Sequence, residues 1–122
     1  MRRQAIHFIC RRDASGNFRN SRRDEATGLL RCGNWKVTAQ EAEALQGGWV
    51  YLHTTKAGAS ELGGIVRGYE PVVDHEVSRV NRIEFLLDVR CRGKGHNWRG
   101  AAHRMAWTGG MVPADLPHES GE

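Results

Sequence analysis

Apolar and polar positions along the chain alternate in short blocks. Ala5-Ile6-His7-Phe8-Ile9-Cys10 is an apolar run rich in β-formers and predicts a first strand. Residues 11–31 turn polar, with Ser15-Gly16-Asn17 as a turn signal and Arg19, Arg22 and Arg23 close together, and are expected to form a long basic loop. Gly33-Asn34-Trp35-Lys36-Val37 reads as a short extended piece. Thr38-Ala39-Gln40-Glu41 then matches a capping box, in which the Thr hydroxyl caps the Glu41 amide while the Glu41 carboxylate reaches back. Ala42, Ala44 and Leu45 continue a helix that Gly47-Gly48 stops.

Strand composition returns at Trp49-Val50-Tyr51-Leu52-His53-Thr54 and again at Gly64-Ile65-Val66-Arg67-Gly68-Tyr69. Val72 to Val80 is weaker and suits an edge strand, whereas Arg82 to Val89 has a continuous apolar centre. A basic glycine loop, Arg92-Gly93-Lys94-Gly95-His96-Asn97, follows, and Ala101 to Trp107 fits either a strand or a helical turn. The expected architecture is an α+β domain over residues 1–110, a small curved β-barrel of five to six strands with one or two short helices at its rim. Residues 111–122, with Pro113 and Pro117, are expected to be a flexible tail.

A chain of 122 residues suits one domain, and a core of that size is stable without staples. With 39% hydrophobic and 26% charged residues it is neither a disordered tail nor a membrane protein. The apolar stretch after Met1-Arg2-Arg3-Gln4 is too short for a signal-peptide core, so a cytoplasmic location is expected. Cys10, Cys32 and Cys91 are odd in number and widely spaced, which suits buried free thiols better than disulfides.

The formal charge of +4 hides a segregation. Residues 1–31 carry eight Arg and three acids, and residues 89–107 carry five bases and no acid. The segments 32–88 and 108–122 are each net acidic. Arg dominates the excess, and its planar fork suits phosphates and base edges.

Four constellations bear on chemistry. In the first, alternation places Tyr51 and His53 on one side of their strand, while His53, Thr54, Thr55, Lys56 and Ser60 crowd its polar end near Gly63-Gly64, glycines that allow close approach of a ligand. The second is aromatic: Trp35, Trp49, Tyr51, Trp98 and Trp107, of which Trp98 stands beside Arg99 in a glycine-rich basic loop, a setting for stacking a splayed base. The third, Cys91, His96 and His103 with His53 or His7, fits no zinc spacing, and no metal or other cofactor is expected. The fourth would be a metal-independent ribonuclease or other hydrolase using His53, Lys56 and His103, with Arg99 for the charged phosphorane. No phosphate-binding loop, nucleophile elbow or zinc-protease motif accompanies it.

The run from Gly33 to Val37, the short capped helix, Gly47-Gly48, then Val50 to His53 and Gly64 to Tyr69 resembles the element order of PUA-like domains, the superfamily of the EVE, ASCH and YTH branches. The resemblance spans roughly residues 5 to 107, and the G-x-K-x-x-E-x-R signature of ASCH domains is absent. It implies a curved β-barrel that binds RNA or modified bases in a basic, aromatic-lined pocket. Trp35 and the polar end of the Tyr51–Thr54 strand would then form its wall.

The expected function is therefore nucleic-acid binding, RNA or DNA, with reading of a modified or flipped base as its narrower form. Trp35, Tyr51, His53, Thr54, Ser60 and Trp98 would meet the base, and Arg22, Arg23, Lys56, Arg92, Lys94 and Arg99 the phosphates. The hydrolase and a protein-interaction adaptor with Arg-rich arms are the alternatives from other classes.

Overall fold

The capping box forms as its residues predict. In the computed structural model the Thr38 hydroxyl accepts from the Glu41 amide at 3.0 Å, and the Glu41 carboxylate accepts from the Thr38 amide at 2.9 Å. These bonds open the helix α1, Ala39–Leu45, and bury Ala42 and Leu45. Beyond it, Gly47 adopts a φ of 78°, where a side chain would be strained, and turns the chain into the next strand. The structure describes residues 4–12, 14–18, 21–55, 57–74, 80–96, 98 and 108–113.

Among the described residues seven strands flank this helix in sequence. They are β1 (Gln4–Ile9), β2 (Ser21–Arg23), β3 (Leu30–Trp35), β4 (Trp49–His53), β5 (Leu62–Asp74), β6 (Val80–Val89) and β7 (Thr108–Pro113). They hydrogen-bond in the order β2-β3-β6-β5-β4-β1-β7. Among the described strands only β1 and β4 pair in parallel, joined by the long crossover that contains β2, β3 and α1. The fold is α+β: one open, mixed sheet with a helix on one face. The expected barrel closure is absent from the pairing of the described strands. Register shifts at Ile6/Phe8, Cys32/Trp35 and Val66/Gly68 interrupt three ladders, and such irregularities bend a sheet locally.

Period-two alternation divides the apolar side chains between the two faces. Ile6, Phe8, Val50, Leu52, Val66, Phe85 and Leu87 pack with Ala42 and Leu45 of the helix into the larger core. Ala5, Trp49, Tyr51 and Ile65, with Val112 against them, form a smaller cluster. Cys10 and Cys32 are buried free thiols, and burial pushes the Cys32 thiol up to about 12. Cys91 is exposed in a 3₁₀ turn, Cys91–Gly93, contrary to the expectation of a third buried thiol.

Two segments expected to be irregular carry strands. Within 11–31, β2 pairs with β3, which itself begins at Leu30. The reversal is built by Asp24, whose carbonyl accepts from the Gly28 amide and whose carboxylate accepts from the Thr27 hydroxyl. Arg31 then lies among Asp24, Glu70 and Glu84, three carboxylates that hold its guanidinium more firmly charged than usual, Glu70 most strongly. Residues 111–113, expected to open the tail, continue β7 along β1, and Val112 packs on the smaller cluster. Pro113 is tolerated because it closes a strand at the end of the sheet order.

A buried aromatic floor and its half-exposed cover

The candidate site grows from the parallel pair β1/β4. Its register sets His7 beside Tyr51 and Ile9 beside His53, so alternation turns His7, Tyr51 and His53 to the same face. His7 stacks on Tyr51 with ring centroids 4.6 Å apart, and Tyr51 stacks in turn on Trp49 at 5.7 Å. These four rings are at most 1% exposed. They form a floor on the face away from α1.

The floor has a cover. His96 lies 4.9 Å from Tyr51, and Trp98 lies 5.2 Å from His53 and 5.9 Å from His7. Both covering residues are half-buried, and Lys94 beside them is exposed. The segment carrying them is fastened by Ser60, whose hydroxyl donates to the Gly93 carbonyl at 2.7 Å and accepts from the His96 amide at 2.9 Å. Two backbone bonds run alongside, from the Ser60 amide to the His96 carbonyl and from the Gly95 amide to the Ser60 carbonyl. Gly63 and Gly93 lie back to back beneath this clamp, so closely that a Cβ on Gly63 would stand 2.6 Å from the Gly93 Cα. The glycine expected to admit a ligand admits this chain's own 3₁₀ turn instead.

Histidine 53 is locked from both sides. Its Nδ1 lies 3.0 Å from the Gly58 carbonyl, which can only accept, so Nδ1 carries the hydrogen. In a neutral ring Nε2 is then bare, and it accepts from the Nδ1–H of His7 at 2.7 Å. Burial holds the His53 pKa below the ordinary histidine value, the Gly58 bond and Glu61 oppose that shift, and His96 adds to it.

On the other flank, Arg12 donates to Glu61 and to the Gly16 carbonyl while its guanidinium lies 4.2 Å over the Phe18 ring. The Thr54 hydroxyl donates to the second Glu61 oxygen at 2.6 Å. Thr54 and then Arg12 hold the Glu61 carboxyl below its usual range. The 10–18 and 54–61 segments are thereby tied together where β1 and β4 end.

The structure thus unites Tyr51, His53, Ser60 and Trp98 but changes the roles of three. Tyr51 and His53 are buried beneath the cover, so they position it and do not meet a base themselves. Both His53 nitrogens are also engaged within the chain, one by the Gly58 carbonyl and the other by His7. Ser60 is a clamp with its hydroxyl fully engaged. Thr54 is bound to Glu61.

Trp35 belongs elsewhere. It is 8% exposed and stacked on Phe8 at 4.1 Å in the larger core, not at the site. Arg22 and Arg23 are exposed on β2, separated from β4 by β3, β6 and β5. Arg23 lines a separate hollow of about 400 Å³ with Leu30, Leu62 and Asp88. Lys56, Arg99, His103 and the side chain of Arg92 lie outside the described residues. His7 and His96 are the members that sequence reasoning weighed only as metal ligands. The signal for His7 was one imidazole at an alternating position in an otherwise apolar strand. Among the described residues no three His, Cys, Asp or Glu side chains converge to hold a metal ion, and no helix is long and apolar enough to cross a membrane.

Compared with protein-family models, curated proteins and solved structures, the chain matches none.

Proposed function

We propose that the chain is a nucleic-acid-binding module whose contact surface is the segment from Lys94 to Trp98. One observation carries the reading: two half-buried aromatic rings, His96 and Trp98, are held on a rigid buried floor with an exposed cation beside them. Aromatic faces stack bases of any identity, and a neighbouring ammonium meets the phosphate that follows. A pre-fastened segment also loses little freedom on binding, because Ser60, Gly63 and Gly93 have already ordered it.

The narrower reading, a PUA-like domain that receives a modified or flipped base, draws support from the capped helix leading into β4 and from three register shifts that bend the ladders. It places the base against Trp98, with the floor as a backstop.

The test is titration of labelled single-stranded RNA and DNA oligonucleotides by fluorescence anisotropy at several salt concentrations. Binding that weakens as salt rises supports the reading, since phosphate contacts release counterions. A salt-independent response, or no binding to either polymer at low salt, overturns it. Competition by modified nucleosides then separates base reading from general single-strand binding.

A further inference from the structure

The end of β6 outruns its neighbour on one side. β3 begins at Leu30, opposite Leu87, so Asp88 and Val89 pair with β5 alone. The β5 partner of Val89 is Gly64, which has no side chain to cover it, and Val89 stays 44% exposed. With Arg23 and Leu30 from the β2–β3 hairpin and Leu62 from β5, these two residues line the hollow of about 400 Å³. That volume lies within the span of small-ligand clefts, about 300–1,000 Å³.

Its two charges are open to a ligand. Arg23 is exposed and makes no ion pair among the described residues, with Asp88 or with any other acid. Asp88 accepts from Arg67 at 3.2 Å and from Arg90 at 2.9 Å, in both cases through Oδ2. No described residue donates to Oδ1. Arg90 first, and then Arg67, hold the carboxyl below its usual range against the effect of burial, so Oδ1 is purely an acceptor at neutral pH. The same arginines decide which donor it takes. An ammonium at Oδ1 would stand beside two guanidiniums, whereas a neutral N–H meets no such repulsion. The other side chains of the lining are apolar. The complement is a molecule with a neutral N–H edge, an apolar ring and an anionic group.

We propose that this hollow is a nucleotide subsite: Asp88 Oδ1 accepts from the base edge, Leu30, Leu62 and Val89 hold the ring, and Arg23 meets the phosphate. Guanine suits it best, because its N1–H and N2–H₂ are adjacent donors that one oxygen receives together. Uracil suits it worst, since its single N3–H lies between two carbonyls that the carboxylate repels. A free nucleotide and a residue of a bound single strand share this chemistry. The subsite rests on the nucleic-acid reading only for the second source, and residues 90–93 lead in sequence from Val89 to the contact segment.

Methyl NMR of Leu30, Leu62 and Val89 reads the hollow directly. At low salt, GMP is expected to shift these methyls to saturation, about tenfold or more tighter than UMP or inorganic phosphate. Arg23→Ala should weaken GMP about fivefold or more. In Asp88→Asn the amide oxygen stays toward Arg67 and Arg90, which only donate, so the amide NH₂ takes the place of Oδ1. That group donates to the hollow, and the preference is expected to pass from GMP to UMP.

Methyls moved by GMP assign the subsite to a free nucleotide; methyls moved only by a guanine-containing oligonucleotide assign it to a residue of the strand. Equal affinity for GMP, UMP and inorganic phosphate overturns the subsite, as do methyls that no nucleotide or oligonucleotide moves. A GMP preference that survives in Asp88→Asn overturns it too. If the Trp98 indole follows an oligonucleotide while these methyls stay fixed, the subsite falls and the nucleic-acid reading stands. If GMP moves them and no oligonucleotide binds, the subsite stands and that reading falls.

Discussion

Trp35 and Trp98 have opposite fates although each sits among polar neighbours in sequence. Trp35 follows Asn34 and precedes Lys36, yet strand alternation carries it inward onto Phe8. Trp98 stays half-buried on a glycine-rich segment. Trp35→Ala is therefore expected to cost about 3–5 kcal/mol and to lower the melting temperature sharply. Trp98→Ala should leave the melting temperature close to wild type while removing about 1–3 kcal/mol of oligonucleotide affinity, roughly five- to 150-fold. Thermal unfolding and anisotropy on the same two samples check both statements. Trp98 was legible because its basic glycine context gives a large ring no core to enter. Trp35 was misread because its fate depends on a stacking partner, Phe8, 27 positions away in the chain.

At the scale of elements, legibility follows how local the causes are. The capping box is written in four consecutive residues, and it formed as read. Thr38→Ala should destabilise the protein by about 1 kcal/mol, seen as a lower midpoint in urea at unchanged slope. β2 and β7 were missed for the converse reason. Ser21-Arg22-Arg23 has no β-forming side chain, and Thr108-Gly109-Gly110 reads as a breaker, so each becomes a strand only because a neighbour supplies hydrogen bonds. The clamp under the contact segment is likewise non-local, since Ser60 and Gly93 meet through folding alone. Ser60→Ala orphans the Gly93 carbonyl and the His96 amide, and should cost about 1–3 kcal/mol. Hydrogen exchange at the His96 amide, faster in the variant than at the α1 amides, would locate that loss in the clamp. Equal acceleration everywhere would assign it to the fold as a whole.

For the whole molecule, folding redistributes a charge that composition presents as two basic arms. Arg31 is bound by three carboxylates, Arg12 by Glu61, and Arg67 and Arg90 by Asp88. Arg22, Arg23 and Lys94 are exposed and make no ion pair among the described residues, but the two arginines stand on β2, away from β4. Few of the described arm cations thus face the proposed contact. The logarithm of affinity for a single strand should fall with the logarithm of salt at a slope near −2, as about three phosphate contacts require. A much steeper slope would mean that both arms wrap the polymer together.

The most direct measurement follows the four tryptophan indole N–H signals, assigned by substitution, while an unlabelled oligonucleotide is added. The Trp98 signal is predicted to shift most, in proportion to bound fraction, with the Trp35 and Trp49 signals nearly fixed because Trp35 is buried in the larger core and Trp49 is fully buried in the floor beneath the cover. An unmoved Trp98 signal in a protein that demonstrably binds the oligonucleotide would contradict the site, and with it the account of how the buried floor and its cover serve function.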